Sequence, residues 1–599
     1  MKMRLLTLAL ASAGLLIACG GGDSSSPDNG GGTITTGTVT LTGVVASYNA
    51  VMPSTSVAIK CAAGAGTATT DATTGAYTVA LRDAALPCVL KANGSSLVMH
   101  SVAPGSGTDK TVTVNISPLT ELLVAQLTGA DPASFMDTVT TAQLTGLVTT
   151  SKVQAAQASV LETLVTAGVG TGGVSDLISG SLSFAGSGTN YAVALGNLNG
   201  TLTSTGTTLT GLADTVATTA AATSAAGSST ATASSSTPSL PADLLLKPKA
   251  ATCDALRSTT YRVVMFQPST TTGANDTVTE INTMTFDAAT LTATWADDGS
   301  TEVWTPVSGD NCHFTNPDGV DIAISPAGVA VARASNNSTG TPVYRLAMAF
   351  PEQSHARADL AGTWNTIGWM PNGGTLHDVD AGTFVLATDG AITSARCFDQ
   401  PIGAAEASCT GQTTGLPNFS ANSAGGFDLI GADITDPWRD RSFFYRAGNG
   451  DLMMVSLNAS GEFILATKVR TLTLPTVGAA TSHWNYELTT ANQAVAAAYQ
   501  TGNTVLNTDG STGRWTRTAW NVTPVVTYPQ TLEINQARNG YVHRLAATGV
   551  TQSDGSTRNV REFYSLTMRG MGISPVYLPN TSTTTTVNQL FLLSVQRPQ

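Results

Sequence analysis

Hydrophobic and polar residues alternate with a period of two through the first part of the chain. The segments TVTLTGVV, SVAIKC, AYTVAL and TVTVNI follow this pattern and lie within residues 37–116. Such alternation is typical of strands that bury one face. It also places Cys61 and Cys88 on buried faces, as a buried disulfide bond requires. We therefore predict a β-sandwich over 37–116.

Helical spacing replaces this alternation over residues 117–217. Ser117 supplies a helix cap, Pro118 suits the first helical position, and Gly129 suits a helix end. A second apolar stripe predicts a helix over 151–167. We expect these stripes to pack against one another, because their polar faces lack the Lys and Arg residues of a membrane-surface helix.

A third candidate helix carries apolar residues from Leu195 to Val216, spaced three, four or seven apart, with several glycines among them. Residues 218–250 then begin with a run of Ala, Ser and Thr. Such a run buries too little apolar area to offset the entropy of ordering, so it predicts a low-complexity linker.

From Cys253 onward the pattern is again that of strands, which are separated by hairpin signals. Asn-Gly and Asp-Gly pairs suit type I′ turns, in which both central residues have positive φ. We therefore predict antiparallel meanders. The six pairs are Asp298-Gly299, Asp389-Gly390, Asn449-Gly450, Asp509-Gly510, Asn539-Gly540 and Asp554-Gly555.

An internal repeat divides this C-terminal region. The sequence VLATDG begins at Val385 and VLNTDG at Val505, and the pair Trp-Asn occurs at Trp364 and again at Trp484. Both motifs recur at an offset of 120 residues, which indicates tandem units. We predict three β units, barrel-like or sandwich-like, at 253–359, 360–480 and 481–599, the first being the most divergent.

The chain opens with a short basic segment and an apolar run of roughly 14 residues, whereas a bilayer-spanning helix needs about 20. The letters LIAC that end at Cys19 resemble the lipobox of bacterial lipoproteins. That resemblance implies a signal peptide over 1–18, acyl chains such as palmitate on Cys19, and a Gly/Ser-rich tether over 19–36. Gly20 stands where an aspartate signals inner-membrane retention in that family, which implies the outer membrane.

Composition suits an exported, surface-exposed β protein. Only 11% of the 599 residues are charged, about half the usual share, and small residues take their place. The net charge is −12 and no basic patch with interleaved aromatics exists, which argues against nucleic-acid binding.

Six cysteines remain besides Cys19, and an even number in an exported chain indicates disulfide bonds. None has the spacing of a metal site. Many pairings are open. Pairing of chain neighbours is the simplest because each bridge stays inside one predicted unit: Cys61 with Cys88, Cys253 with Cys312, and Cys397 with Cys409.

Two further segments resemble known β modules. TTDATTGAYTV, beginning at Thr69, is similar to the strand–turn–strand signature of carboxypeptidase-regulatory-like modules, which are sandwiches that serve as spacers or binding domains. LAGTWN, from Leu360 to Asn365, resembles the Gly-x-Trp opening of lipocalin-like barrels. This implies a barrel whose closed end is plugged by Trp364. The alternative is a core tryptophan on a first strand.

The sequence holds no serine-hydrolase elbow, zinc-protease motif, nucleotide-binding loop or dinucleotide fingerprint. Two polar clusters remain. His377, Asp378 and Asp380 could reach one hard cation, or form a solvated loop. The second cluster combines carboxylates, an aromatic ring and cations that could bind a sugar, or form a surface ion-pair network: Asp436, Trp438, Arg439, Asp440 and Arg441.

These patterns predict a mainly β, multidomain lipoprotein of the bacterial cell envelope, anchored by lipid at Cys19 and without a cofactor or metal. A non-catalytic binding or structural role is the leading hypothesis, with an envelope protein or polysaccharide as partner. One alternative is a lipocalin-like carrier of a small apolar molecule. The other is an envelope hydrolase acting on carbohydrate.

Overall fold

The computed structural model describes residues 34–598, except 96, 227–236, 267–279, 337–342, 373–375, 399, 431–438, 459–462, 490–497, 520–522 and 580–589. The predicted signal peptide, Cys19 and most of the tether therefore lie outside the described residues. Strands form 46% of the structure and helices 18%, which confirms a mainly β, multidomain chain with a small helical section.

An N-terminal unit contains a six-stranded β structure. Its longest strand, β4, passes between two sheets: residues Ala76–Ala84 pair with β1, and residues Cys88–Asn93 pair with β2 and β5. The strands are β1 (Gly37–Val44), β2 (Ser56–Ala63), β3 (Ala65–Thr69), β4 (Ala76–Asn93), β5 (Val98–Gly107) and β6 (Lys110–Thr113).

The TTDATTGAYTV segment folds as a strand, a turn and a strand. Asp71 holds the turn, because its Oδ1 accepts hydrogen bonds from the Thr73 amide (3.0 Å) and the Thr74 amide (2.8 Å). Gly75 follows with φ of 64°, a conformation that glycine adopts without steric strain. These contacts set the connection between β3 and β4.

Helices pack directly on this β structure. Helix α1 begins after the Ser117 cap and ends at Gly129 in the left-handed conformation, as predicted. The helices that follow the strands are α1 (Pro118–Thr128), α2 (Pro132–Thr138), α3 (Thr141–Leu147), α4 (Thr150–Thr166), α5 (Asn190–Thr205) and α6 (Leu209–Ala226).

One hydrophobic core serves both the strands and these helices. The buried Glu121 of α1 accepts a hydrogen bond from the amide of His100 on β5, and its Oε2 lies 2.9 Å from Nδ1 of that ring. The sandwich over 37–116 and the helical section over 117–217 are therefore one packed unit, whereas the sequence suggested two.

The third predicted helix is wrong as a single element. Gly206, with φ of 66°, ends α5, and α6 starts three residues later. Helix α6 then continues into the predicted linker as far as Ala226. Within this stretch Ala220 is buried and the Thr219 hydroxyl donates to the Gly448 carbonyl at 2.6 Å, so the helix packs against curled sheet 2 despite its composition. The linker residues 227–236 lie outside the described part.

Three antiparallel sheets follow, each a meander whose first strand pairs with its last. Curled sheet 1 is preceded by α7 (Ala242–Leu245), β7 (Lys249–Ala250) and β8 (Cys253–Arg257). Its strands are β9 (Thr259–Phe266), β10 (Glu280–Asp287), β11 (Thr292–Trp295), β12 (Thr301–Val303), β13 (Thr305–Pro306), β14 (His313–Thr315), β15 (Asp321–Ile324), β16 (Ala330–Asn336) and β17 (Val343–Pro351).

Curled sheet 2 begins after the short helix α8 (Arg357–Leu360). Its strands are β18 (Gly362–Asn372), β19 (Leu376–Asp380), β20 (Thr383–Leu386), β21 (Ile392–Arg396), β22 (Gly411–Gln412), β23 (Phe419–Ala421), β24 (Phe427–Ile430), β25 (Arg439–Arg446), β26 (Leu452–Asn458) and β27 (Phe463–Lys468). In both curled sheets the ladder is interrupted halfway, between β12 and β13 and between β22 and β23.

The last sheet is a closed barrel of eight strands. A hairpin, β33 (Ala547–Thr551) with β34 (Thr557–Val560), is inserted between its fifth and sixth strands. The barrel strands are β28 (Ala480–Thr489), β29 (Tyr499–Asp509), β30 (Thr512–Ala519), β31 (Val526–Ile534), β32 (Tyr541–Arg544), β35 (Phe563–Leu566), β36 (Ile573–Leu578) and β37 (Leu590–Gln596).

A shared core joins the three sheets. Phe350 of β17 packs on Tyr445 of β25, with ring centroids 6.3 Å apart. Trp369 of β18 packs on Phe591 of β37 at 5.7 Å. Curled sheet 2 encloses a second, separate core of aromatic and aliphatic side chains around Trp364. The three sheets thus form one packed body.

The two tryptophans of the internal repeat lie on opposite sides of their sheets. Trp364 is inside curled sheet 2, where its ring packs against Phe444 at 5.6 Å. Trp484 points out of the closed barrel into the shared core. The repeated motif therefore places its tryptophan on the inner face of one sheet and on the outer face of the other.

All six predicted Asn-Gly and Asp-Gly turns have a glycine with positive φ, but the type I′ prediction is wrong. The preceding Asn or Asp does not have positive φ at any of them. Its side chain often accepts the amide two residues ahead instead, as Asp298 does from Ser300 at 2.8 Å and Asn449 from Asp451 at 3.0 Å. This side-chain turn allows the Asn or Asp to keep an ordinary backbone conformation.

Three disulfide bonds join chain neighbours, which confirms the simplest pairing predicted from the sequence. They are Cys61–Cys88 between β2 and β4, Cys253–Cys312 before and within curled sheet 1, and Cys397–Cys409 in curled sheet 2.

A polar junction lies between curled sheet 1 and the closed barrel. Asp310 accepts hydrogen bonds from Trp484 Nε1 and Gln500 Nε2, both at 2.9 Å, and forms an ion pair with Arg597. His313 is held between Asp310 (2.9 Å) and Asp321 (2.6 Å). The charges of these carboxylates raise the pKa of His313, although burial alone lowers it.

Candidate functional site

The closed barrel surrounds a cavity of about 980 Å³. Ligand pockets commonly measure roughly 300–1,000 Å³, so this cavity is large enough for a whole organic molecule. Its lining side chains come from all eight barrel strands and from the inserted hairpin. They include His483, Asn485, Glu487, Tyr499, Thr501, Asn503, Trp515, Arg517, Tyr528, Arg544, Arg558, Arg561, Phe563, Ser565, Val576, Leu578, Leu592 and Ser594.

Part of the cavity lining is polar because the outer face of the barrel wall is apolar and packs against the curled sheets. On β28, His483, Asn485 and Glu487 line the cavity, while Trp484 and Tyr486 point outward into the shared core. Successive side chains of a strand point to opposite faces, so an outer face buried against the curled sheets leaves the polar set inside. The sequence stretch SHWNYEL carries this alternation.

Four arginines line the cavity: Arg517, Arg544, Arg558 and Arg561. Arg544 is 6% exposed; its Nε donates to the Arg561 carbonyl at 2.8 Å, and its guanidinium lies 4.3 Å from the Phe563 ring centroid. Burial lowers the pKa of Arg544 to about 9, and the positive charges of Arg517 and Arg558 act in the same direction. These like charges are therefore concentrated in a poorly solvated space.

Two of these arginines form no hydrogen bond or ion pair through their guanidinium groups with the described residues. Arg517 makes no hydrogen bond or ion pair with any described residue. Arg558 lies over the Tyr528 ring at 4.4 Å, and its Nε is buried without a hydrogen-bond partner among the described residues. Arg517 and Arg558 are half-buried. A guanidinium that has lost part of its hydration gains from an acceptor, so both groups are suited to bind one from outside the chain.

Glu487 is the one carboxylate among the described residues that line the cavity. It accepts a hydrogen bond from the Tyr499 hydroxyl. Burial raises the pKa of Glu487, although Tyr499, Arg517 and Arg561 oppose that shift. Burial also lowers the pKa of His483 to about 4, so this ring is neutral at pH 7. The cavity therefore carries an excess of positive charge.

An apolar patch forms another part of the wall. Val576, Leu578 and Leu592 form a buried cluster against which Phe563 packs. In the ladder register, Arg544 pairs with Phe563, and Val576 pairs with Leu592. The inner wall thus changes from cationic to apolar within a few neighbouring strands.

The structure separates the predicted sugar-binding cluster. Asp440 is buried inside curled sheet 2, where it pairs with Leu429, whereas Arg441 lies on the opposite face and forms an ion pair with Asp428 (3.4 Å). Asp436 and Trp438 lie outside the described residues, as does the side chain of Arg439. Adjacent strand residues point to opposite faces, so Asp440 and Arg441 are not brought together in one site.

His377, Asp378 and Asp380 lie on β19, but their side chains are outside the described part. Among the described residues, no group of three or more His, Cys, Asp or Glu could hold a metal ion. Within that same part, none of the helices is long and apolar enough to cross a membrane.

Sequence reasoning missed the arginine cluster. Arg517, Arg544, Arg558 and Arg561 are spread over 45 residues and become neighbours only when the barrel closes. The available signal was period-two alternation that places arginine, aromatic and amide side chains on one face of β30 to β35. Reading it required knowledge of which face pointed inward.

Comparisons with known proteins give little information. No protein-family model and no curated protein matches the chain. The chain is similar to a solved protein of unknown function from the DUF3598 family of Nostoc punctiforme, with 9% identity and a TM-score of 0.17, covering 41% of this chain and 100% of that one.

Two solved transferrin binding protein B structures are also similar. The protein from Haemophilus parasuis has 9% identity and a TM-score of 0.19 over 61% of this chain and 78% of that one. The protein from Neisseria meningitidis has 10% identity and a TM-score of 0.19 over 57% and 64%. Because these TM-scores are so low, no conclusion about this chain follows from them.

Proposed function

We propose that the protein is a lipid-anchored component of the bacterial outer membrane with a non-catalytic binding role, and that its closed barrel holds a small molecule. The LIAC motif ending at Cys19 and the tether after it support the anchor. Three disulfide bonds support export to an oxidising compartment.

The observation that carries the binding role is the cavity of about 980 Å³ inside the closed barrel. Curled sheet 2 differs, since aromatic side chains fill its interior. The lining is mixed, so the expectation of a purely apolar ligand changes to one of a ligand with polar groups. An envelope protein or polysaccharide remains a second kind of partner for the outer surfaces.

The hydrolase alternative lacks support in the described residues. Glycoside cleavage needs two carboxyl groups flanking the bond. Glu487 is the one carboxylate among the described cavity-lining residues, and Asp440 is buried inside another sheet. We therefore favour binding without catalysis.

A dye-binding experiment tests this proposal. The full mature chain with Cys19→Ser, which removes the acyl chains, is titrated with anilinonaphthalene sulfonate and with N-phenyl naphthylamine, its uncharged counterpart. We expect saturable binding of at least one dye at one site per chain. Ser594→Trp places a large ring in the cavity and should abolish this binding. Thr516→Trp, on the outer face of β30, is the matched control and should bind as the parent does.

A second measurement covers the case in which Ser594→Trp does not fold. The parent chain is photolabelled with bis-anilinonaphthalene sulfonate, the dimeric form of the sulfonate dye, and the labelled peptides are identified by mass spectrometry. Labels on the inward residues of β28–β37 support the proposal. Absence of saturable binding, or labels confined to other parts of the chain, would overturn it.

A further inference from the structure

The charge inside the closed barrel is opposite to that of the whole protein. The chain carries a net charge of −12, yet four arginines and one glutamate line the cavity. Burying like charges together is unfavourable unless an opposite charge accompanies them. Such an arrangement is suited to an anionic occupant.

The arginines have donors left over for such an occupant. Arg544 uses Nε on the Arg561 carbonyl and Nη1 on Gln530 Oε1 (3.4 Å), and its Nη2 has no partner among the described residues. The buried Nε of Arg558 is likewise unpartnered there. Arg517 has no hydrogen bond or ion pair to any described residue. Guanidinium groups bind carboxylate and phosphate oxygens in fixed, often bidentate geometry.

The volume and the adjoining apolar wall argue against a simple inorganic anion. A cavity of about 980 Å³ is far larger than a single phosphate or sulfate ion needs. The apolar surface formed by Phe563, Val576 and Leu592 adjoins the cationic group. Covering this apolar surface stabilises a complex because it removes the surface from water. An apolar body covers it, whereas a small ion does not.

We propose that the closed barrel binds an anionic amphiphile: one molecule whose carboxylate or phosphate is held by Arg517, Arg544 and Arg558, and whose apolar body lies against the Phe563–Val576–Leu592 wall. The inference rests on the proposed binding role and deepens it by naming the ligand class. Glu487 accepts a hydrogen bond from the Tyr499 hydroxyl and would repel a second negative charge placed beside it. The acidic group of the ligand is therefore expected to face the arginines.

The two dyes introduced above differ by one sulfonate group and test this inference at low salt. The parent chain should bind the sulfonate dye about tenfold or more tightly than the uncharged dye, because a hydrogen-bonded charge pair is lost with the latter. Arg517→Gln should remove most of this preference and leave affinity for the uncharged dye nearly unchanged. Arg514→Gln, exposed on the outer face of the same strand, is the matched control and should retain the preference.

Arg517 is preferred over Arg544 for this test because Arg517 supports no described hydrogen bond, so its loss should not unfold the barrel. Displacement of the sulfonate dye then identifies the acidic group. Dodecanoate and dodecyl phosphate should both compete, and the better competitor indicates carboxylate or phosphate. Dodecanol should compete at least about tenfold less well.

The outcomes separate the two proposals. If neither dye binds saturably, the binding role itself fails. If both dyes bind with equal affinity, if Arg517→Gln weakens both equally, or if dodecanol competes as well as the acids, the binding role stands and the anionic amphiphile is refuted.

Discussion

Replacement of Asp310 by alanine should loosen the junction between curled sheet 1 and the closed barrel. The Asp310 carboxylate is 8% exposed and accepts from Trp484, Gln500, His313 and Arg597. Alanine leaves all four donors without this acceptor. Trp484 is affected most, because it is 1% exposed and its indole N–H cannot reach water without movement of the two sheets.

The size of the effect follows from burial. Removal of one partner from a buried ion pair typically costs about 3–5 kcal/mol. Arg597 is 25% exposed and recovers some hydration, which moves the expectation toward the lower end of that range. An orphaned indole N–H contributes about 1–3 kcal/mol within the same total. We expect a loss of about 3 kcal/mol in the free energy of local opening.

Hydrogen–deuterium exchange measures this loss strand by strand. Amides of β14 and β28 should exchange about a hundredfold faster in the variant, while those of β26 in curled sheet 2 change much less. Asp318→Ala removes an exposed carboxylate from the same sheet and should leave all three strands unaffected. Unchanged protection of β14 and β28 in Asp310→Ala would show that the junction does not depend on this carboxylate.

Two further predictions concern the junction's titration and the anchor. The raised pKa of His313 means that its contribution to stability is fully present below its unfolded pKa of about 6.5 and is lost as pH rises through the folded value. The stability difference between the parent and His313→Gln should therefore shrink as pH rises above the unfolded value of about 6.5; a difference that grows as pH rises would contradict the assignment. Cys19→Ala should lose fatty-acid labelling and leave the membrane fraction, and retention of label would refute the anchor.

Local signals predicted the local structure well. Ser117, Pro118 and Gly129 bounded α1 because capping and turn chemistry depend on residues close in sequence. The disulfide pairing followed from keeping each bridge inside one unit. The hairpins were located, although their turn type was wrong because Asn and Asp side chains replaced the expected backbone conformation.

Tertiary features were harder to predict because the sequence does not state which face of a strand meets a neighbour. The repeat aligned Trp364 with Trp484, yet one fills a sheet interior and the other a shared core. Gly206 divided a periodic stretch into two helices, since a glycine in the left-handed region reverses the chain without disturbing the apolar spacing. The arginine cluster required both the closure of the barrel and the burial of its outer wall.

The outer face that the closed barrel packs against the curled sheets determines whether the chain can be divided into soluble fragments. A fragment that begins at β28 would contain the closed barrel alone. Its outer face would expose Trp484, Tyr486, Phe591 and Leu593 to water, and such a surface promotes self-association. The three C-terminal sheets are therefore not independent domains. Removal of any one of the three sheets exposes apolar side chains of the other two. Truncation should therefore abolish solubility before it abolishes ligand recognition.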